Sequence, residues 1–217
     1  MNAPLVSCAM PTANRRAFIP GALGYFLAQD YPNKELLVLD DGTDSVEDLM
    51  PKDSRVRYFR EEPRRNTGLK RNTLCELARG DIIAQFDDDD WYAPDRLSCQ
   101  VAEIQSGVDL VGLCDVLFYD TRGMTARAWR YTYRGARPWT FGPTMMYTRA
   151  LWEKIKFKDT CENDDTLFVW SCDPTRVRAC SGAWHVATLH NRNGSAKTIH
   201  AGWKEIPVKR LPGKVAI

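Results

Sequence analysis

The amino-acid sequence predicts an α/β domain built on a mixed, mostly parallel sheet flanked by helices. Three observations predict it. Short apolar runs alternate with segments of helical periodicity through the N-terminal half. Three of the runs end in polar turns, at Pro11, at Asp40-Asp41-Gly42 and at Asp87-Asp88-Asp89-Asp90. Strands of a parallel sheet end this way at the edge where such sheets bind ligands. Finally, 217 residues that are 44% hydrophobic and 27% charged can bury one sizeable core, and the chain shows no internal repeat or low-complexity linker.

Residues 5–10 form an apolar run stopped by Pro11, and residues 19–29 place Ile19, Leu23, Phe26 and Leu27 on one helical face. Residues 36–39 are a second strand, ending in a carboxylate turn where Gly42 lets the backbone reverse. A third strand spans residues 56–59. After the polar loop 61–67, residues 69–79 have helical composition, with Leu74, Leu77 and Ala78 as the buried face and Gly80 as the stop. Residues 82–86 are a fourth strand running into the four aspartates. Pro94 suits the first turn of a helix that continues through Leu97, Val101 and Ile104. Past Cys114 the alternation fails: residues 127–133 and 144–148 read as strands without intervening helices, joined by the loop 134–143. This predicts a partly antiparallel extension of the same sheet. Residues 166–170 read as a helix, 184–189 as a strand, and the basic, Pro/Gly-punctuated stretch after Thr198 as a loosely held tail.

Thirty Lys and Arg against twenty-eight Asp and Glu leave a formal charge of +2, which argues against nucleic acid as a partner. The longest apolar stretches, 36–39 and 82–84, fall far short of the roughly 20 residues of a membrane span. Residues 1–4 lack the pattern of an export signal. Seven cysteines (Cys8, Cys75, Cys99, Cys114, Cys161, Cys172, Cys180) include no C-x-x-C pair, so they read as reduced thiols of a cytoplasmic protein.

The chemistry concentrates in carboxylates. Four consecutive aspartates repel one another unless a cation or the loop geometry relieves them. Oxygen ligands select a hard divalent ion, Mg2+ or Mn2+, whose remaining positions commonly go to phosphate and water. The bland alternative is a solvated turn capping the helix near Pro94, a job needing only Asp90 or Asp95. At Asp40-Asp41-Gly42 the alternatives are a nucleotide contact and a type I turn. Of the basic set Arg55, Arg57, Arg60, Arg64, Arg65, Lys70 and Arg71, interrupted by Glu61 and Glu62, most read as surface ion-pair partners. Lys70 and Arg71 instead follow Gly68 at a helix start, where amides and the dipole favour a phosphate. In Glu162-Asn163-Asp164-Asp165 a carboxylate is either an N-cap or a general base. Trp91 follows the acidic cluster at the presumed substrate rim. His190 lies in a polar loop, and His185 and His200 carry no signal of their own.

These segments resemble glycosyltransferase family 2, whose members have the Rossmann-like GT-A fold. The opening run Val6-Ser7-Cys8-Ala9-Met10-Pro11-Thr12-Ala13-Asn14-Arg15 looks like that family's first strand and loop, and Leu37-Val38-Leu39-Asp40-Asp41-Gly42-Thr43-Asp44 like its next nucleotide-binding turn. Arg71-Asn72 precedes a segment, Ala78 through Asp90-Trp91 and then Pro94-Asp95-Arg96-Leu97, that resembles its DXD block. The likeness covers most of residues 5–99, with four motifs in order. Farther on, Asn163-Asp164-Asp165-Thr166-Leu167-Phe168 is similar to the acidic pair that supplies the catalytic base, with Asp164 where the family usually has glutamate. His190, Asn193 and Ser195 resemble a late loop that closes the donor site.

The resemblance implies a single GT-A domain over residues 1–217. Residues 1–115 or so would bind the nucleotide-sugar, about 116–200 the acceptor, and 201–217 would be a basic tail. It implies a metal-dependent inverting enzyme that moves a sugar from a nucleoside-diphosphate sugar, UDP-linked above all, to a glycan or lipid-linked acceptor. Thr12, Asn14, Arg15, Asp41, Lys70 and Arg71 would bind the donor, with Asp41 on the base, and Asp87 or Asp88 would hold the ribose. Asp89 would be the direct ligand of Mn2+ or Mg2+, joined by His190. Asp165 would deprotonate the acceptor, and Trp91, Trp139, Gly142 and Asp164 would shape the acceptor side. The Arg-rich stretch 122–137 would meet an anionic glycan, a lipid phosphate at the inner membrane face, or solvent. Two other readings stay open: a sugar nucleotidyltransferase, which would release pyrophosphate, and a binding module without turnover.

Overall fold

The computed structural model describes residues 3–61, 66–160, 162–193 and 198–214. Glu62, Arg64, Arg65, Cys161 and Ser195 of the sequence reading lie outside them.

The N-terminal half is the alternation the sequence predicts. Strand β1 (Val6–Thr12) is followed by helix α1 (Ile19–Leu27), β2 (Lys34–Asp40), β3 (Val56–Arg60), α2 (Thr67–Leu77), β4 (Ile82–Gln85), the short β5 (Trp91–Tyr92) and α3 (Arg96–Gln105). β1 lies between β2 and β4, with β3 beyond β2, and all these pairs are parallel. The inner strands β1, β2 and β4 are largely apolar on both faces because both faces are covered. Cys8, Met10, Leu36 and Val38 pack with Ile19, Phe26, Leu97 and Val101 of α1 and α3. Ala9, Leu37, Leu39 and Ile83 pack on the other side with Leu74 and Cys75 of α2.

The second half holds β6 (Leu110–Asp120), β7 (Arg127–Thr132), β8 (Met146–Thr148), α4 (Arg149–Ile155), α5 (Asp164–Ser171), β9 (Val177–Leu189) and β10 (Trp203–Ile206). It extends the same sheet in the order β10-β7-β6-β8-β4, antiparallel throughout, while β9 runs parallel to β6 and pairs with β5. The architecture is thus a mixed sheet flanked by helices. Three details differ from the sequence reading. The eleven-residue β6 runs straight through Cys114, because its Gly and Asp residues broke the apolar signature. Helix α3 begins after Pro94, with Asp95 at its N-cap, so the proline precedes the helix. The stretch after Thr198 contributes a strand, since Trp203 packs with Phe118 and Tyr131, at ring separations of 4.2 and 5.8 Å.

Six cysteines are free thiols among the described residues. No helix among them is long and apolar enough to cross a membrane.

Candidate active site

Where β1 and β4 end, a cavity of about 660 Å³ opens between the two halves, lined by the β1–α1 loop, the start of α2, the four aspartates, α5 and the end of β9. The acidic turn is fixed from several sides. The backbone N–H of Asp87 donates to the Tyr92 hydroxyl at 2.7 Å, and β5 pairs with His185 and Val186 of β9. Asp90 accepts the Thr188 N–H at 2.9 Å and meets His185 Nε2 at 2.7 Å. Burial, reinforced by Asp89, pushes the Asp90 carboxyl well above the usual carboxylate range, and burial beside Arg96 drives His185 far below the usual histidine range. Tied to both Thr188 and His185, Asp90 anchors the turn from inside.

The other three aspartates face different partners. Asp88 accepts the Thr12 hydroxyl at 2.6 Å and Arg15 at 2.8 Å; burial raises its carboxyl, and Arg15 opposes that. Asp89 accepts Arg15 at 2.7 Å, His190 Nε2 at 3.0 Å and Asn193 at 3.2 Å, all on Oδ2. Burial alone would raise Asp89, but the His190 hydrogen bond and the Arg15 charge hold it below its usual value. Asp87 is the open member. Its Oδ1 is buried without a hydrogen-bond partner, with the Arg71 guanidinium 4.0 Å away. Burial pushes its carboxyl up to about 7, against the pull of Arg71. Oxygen atoms of Asp87, Asp89 and Asp90 lie within 4.8 Å of one another, a spacing suited to a hard cation.

His190, expected to join the metal, meets Asp89 through Nε2. Its Nδ1 accepts the Arg192 N–H at 3.0 Å, so Nε2 carries the hydrogen and donates it to Asp89, while the ring stacks on Phe18 at 4.5 Å. In this arrangement His190 orients the Asp89 carboxylate.

Other expected residues divide similarly. Thr12, Arg15, Lys70, Arg71, Asp87 and Asp88 line the cavity. Asp41 is buried and paired with Lys70 at 2.8 Å, which places its carboxylate on that lysine. Asn14, at φ 55°, accepts the N–H groups of Thr43 and Asp44 on Oδ1 at 2.8 and 3.0 Å, clasping the next turn. Gly42 is required beneath it, because a Cβ there would lie 2.5 Å from the Asn14 nitrogen. Asp40 fulfils the turn alternative, accepting the Gly42 and Val46 N–H groups. Arg55 pairs with Asp53 at the surface, whereas Arg57 and Arg60 reach the buried Glu35 and Asp40.

On the α5 side, Asp164 and Asp165 both line the cavity, and Asp164 is buried against Arg71. Burial raises the Asp164 carboxyl and Arg71 counters it, so this residue is spent on an ion pair. Asp165 accepts the Thr166 N–H on Oδ1, and its Oδ2 sits over Gly142, where a Cβ would be 2.3 Å away. Asn163 at the N-cap makes no side-chain cap bond, so neither acid is the N-cap of α5. Trp139 lines the cavity with its Nε1–H donated to Thr166 Oγ1 at 3.0 Å. Trp91 is turned toward the C-terminal segment, with the backbone of Gly213 so close that a Cβ would be 2.0 Å from the indole. The sequence reading missed His185, a lone histidine in an apolar strand for which no pattern gives a signal.

A family model described as glycosyl transferase family 2 matches residues 7–162. The UDP-Glc:alpha-D-GlcNAc-diphosphoundecaprenol beta-1,3-glucosyltransferase WfgD of Escherichia coli is 35% identical over 103 residues, 45% of this chain and 40% of WfgD. The chain spans about two-fifths of the length of the curated relatives it matches first. Among solved structures, Staphylococcus aureus TarS in complex with UDP-GlcNAc superposes with a TM-score of 0.72 at 22% identity, covering 89% of this chain and 62% of TarS. The mannosyltransferase PcManGT of Pyrobaculum calidifontis, in complex with GDP-Man and Mn2+, superposes with a TM-score of 0.69 at 20% identity, covering 88% of this chain and 59% of that one. These two likenesses establish the GT-A fold.

Proposed function

Since the chain belongs to glycosyl transferase family 2, we propose that its cavity is the active site of a metal-dependent, inverting glycosyltransferase using a UDP-sugar and a hydroxyl of a glycan or lipid-linked sugar. The observation that carries this reading is that Asp87, Asp89 and Asp165 line one cavity, with Asp165 the acid of its pair not consumed by Arg71. WfgD, named for a UDP-Glc donor and a diphosphoundecaprenol-linked acceptor, and TarS, solved with UDP-GlcNAc, support the choice of donor and acceptor. PcManGT, solved with Mn2+, supports the metal.

The donor set fits such an ion. It is all oxygen, and Asp87 Oδ1 is a buried acceptor lacking a hydrogen bond. Asp89 and Asp87 would hold it, and when bound it offsets the charge that develops on the departing diphosphate. The chain's own groups do the rest. Thr12 keeps Asp88 in place, and His190 keeps Asp89 oriented. Asp87 receives a ribose hydroxyl, and Arg71 stands beside both Asp87 and Asp164. Asp165 Oδ2 takes the acceptor's proton as the acceptor oxygen bonds to the anomeric carbon, while the bond from that carbon to the diphosphate breaks. Attack from the face opposite the leaving group inverts the centre.

Phosphorus NMR of the protein with UDP-sugars and Mn2+ should show UDP accumulating, by transfer or slow hydrolysis. Release of pyrophosphate would assign a nucleotidyltransferase, and no turnover with any donor or acceptor would leave a binding module.

Gly142 supplies a sharper expectation. Gly142→Ala pushes a methyl into Asp165, so the carboxylate must rotate off its position. Transfer should fall by about 10²-fold, as misplacement by roughly 1 Å does elsewhere. The affinity for UDP, measured by calorimetry, should stay at the wild-type value.

A further inference from the structure

Each described acid around the cavity that could receive a metal is matched differently by the cations that line it. Lys70 sits on Asp41, and Arg71 sits on Asp164 with Asp87 4.0 Å away, so neither is a hydrogen-bond partner of Asp89. Arg15 is different. One of its nitrogens lies 2.8 Å from Asp88 and 2.7 Å from Asp89, and the other donates to the Arg192 carbonyl at 3.0 Å. A guanidinium is permanently charged and strongly repels a divalent ion at contact distance within a buried site. Its side chain is 17% exposed, comes from the β1–α1 loop and lines the cavity, so it has somewhere to go. The other donors to Asp89 lack that freedom, since His190 is stacked on Phe18 and Asn193 is tied to the Thr188 carbonyl at 2.9 Å.

Resting on the donor and metal reading above, we infer that Arg15 is the resting counter-ion of Asp88 and Asp89, displaced when a divalent cation enters and then received by the donor's diphosphate. Arg15 is thus a positioning residue that makes the site accept metal and donor together. Free metal competes against an internal cation, whereas metal arriving with a diphosphate gives that cation an anion to move to. Guanidinium geometry suits both partners, because its fork pairs with carboxylate and phosphate alike. Two opposite consequences follow from one substitution. Without Arg15 the carboxylates are open to metal alone, and the diphosphate loses a partner.

The test is Mn2+ binding to the full chain by electron paramagnetic resonance, without nucleotide, followed by UDP titration at saturating Mn2+. Arg15→Gln should bind Mn2+ alone about ten-fold more tightly than wild type and bind UDP about ten-fold more weakly. Arg15→Lys, which keeps the charge, should stay within about three-fold of wild type for Mn2+. A purely structural role would weaken both ligands in Arg15→Gln, and that result overturns the inference. Unchanged Mn2+ affinity in Arg15→Gln overturns it as well, with the donor reading intact if wild type binds UDP with Mn2+. Wild-type protein that binds neither Mn2+ nor UDP removes the proposed function and this inference together.

Discussion

Asp165→Asn should retain UDP and Mn2+ binding at wild-type affinity while transfer falls by about 10²–10⁴-fold, the range that general-base catalysis supplies. The amide occupies the same volume over Gly142 and can still accept the Thr166 N–H, so the local backbone has no reason to move. It cannot take the acceptor's proton. The companion Asp164→Asn separates the two acids of the pair. It leaves Arg71 buried against a neutral group, and a charge so stranded costs about 3–5 kcal/mol. Asp164→Asn should therefore melt at a lower temperature, whereas Asp165→Asn should not. Melting curves and single-turnover transfer, run on both variants, check the division; full transfer in Asp165→Asn removes it as the base.

Asp89→Asn should have the second large effect, on binding. The side chain keeps an oxygen for His190 and Asn193 but loses the charge that a divalent ion and Arg15 both require. Calorimetric UDP affinity in Mn2+ should fall by about 10²-fold, the scale of several kcal/mol of metal-held charge. UDP binding in the presence of a chelator should be no weaker in the variant than in wild type, because one repelling charge is gone. Asp90→Asn should behave differently, because Asp90 holds Thr188 and His185 in the interior, so its loss should appear first in stability. An Asp89→Asn protein with an undiminished Mn2+ response would move the metal elsewhere.

Much of this was legible in the sequence because the parallel half follows simple rules. Buried strands such as Leu36 to Leu39 are uniformly apolar, and each stops at a polar turn, so Thr12, Asp41 and the four aspartates fall on one edge by connectivity alone. The resemblance then placed Asp165 in the same cavity across a large sequence separation. What was hidden depends on partners that no periodicity encodes. Asn14 sits in the expected loop, but its left-handed backbone turns the amide onto Thr43 and Asp44. Trp91 follows the acidic turn, but strand pairing with Val186 and the closeness of Gly213 turn it away from the cavity. Four adjacent aspartates look equivalent in sequence. In the fold one is tied to His185, one is held by Thr12, one is covered by Arg15, and one remains open.

The most direct measurement is a calorimetric titration of UDP into the protein, with Mn2+ and again with a chelator. Binding at least about ten-fold tighter with Mn2+ is expected, because the acids that line the cavity repel a diphosphate until a cation is present. Equal affinity in the two titrations, or no binding in either, would contradict a metal-held diphosphate at Asp89.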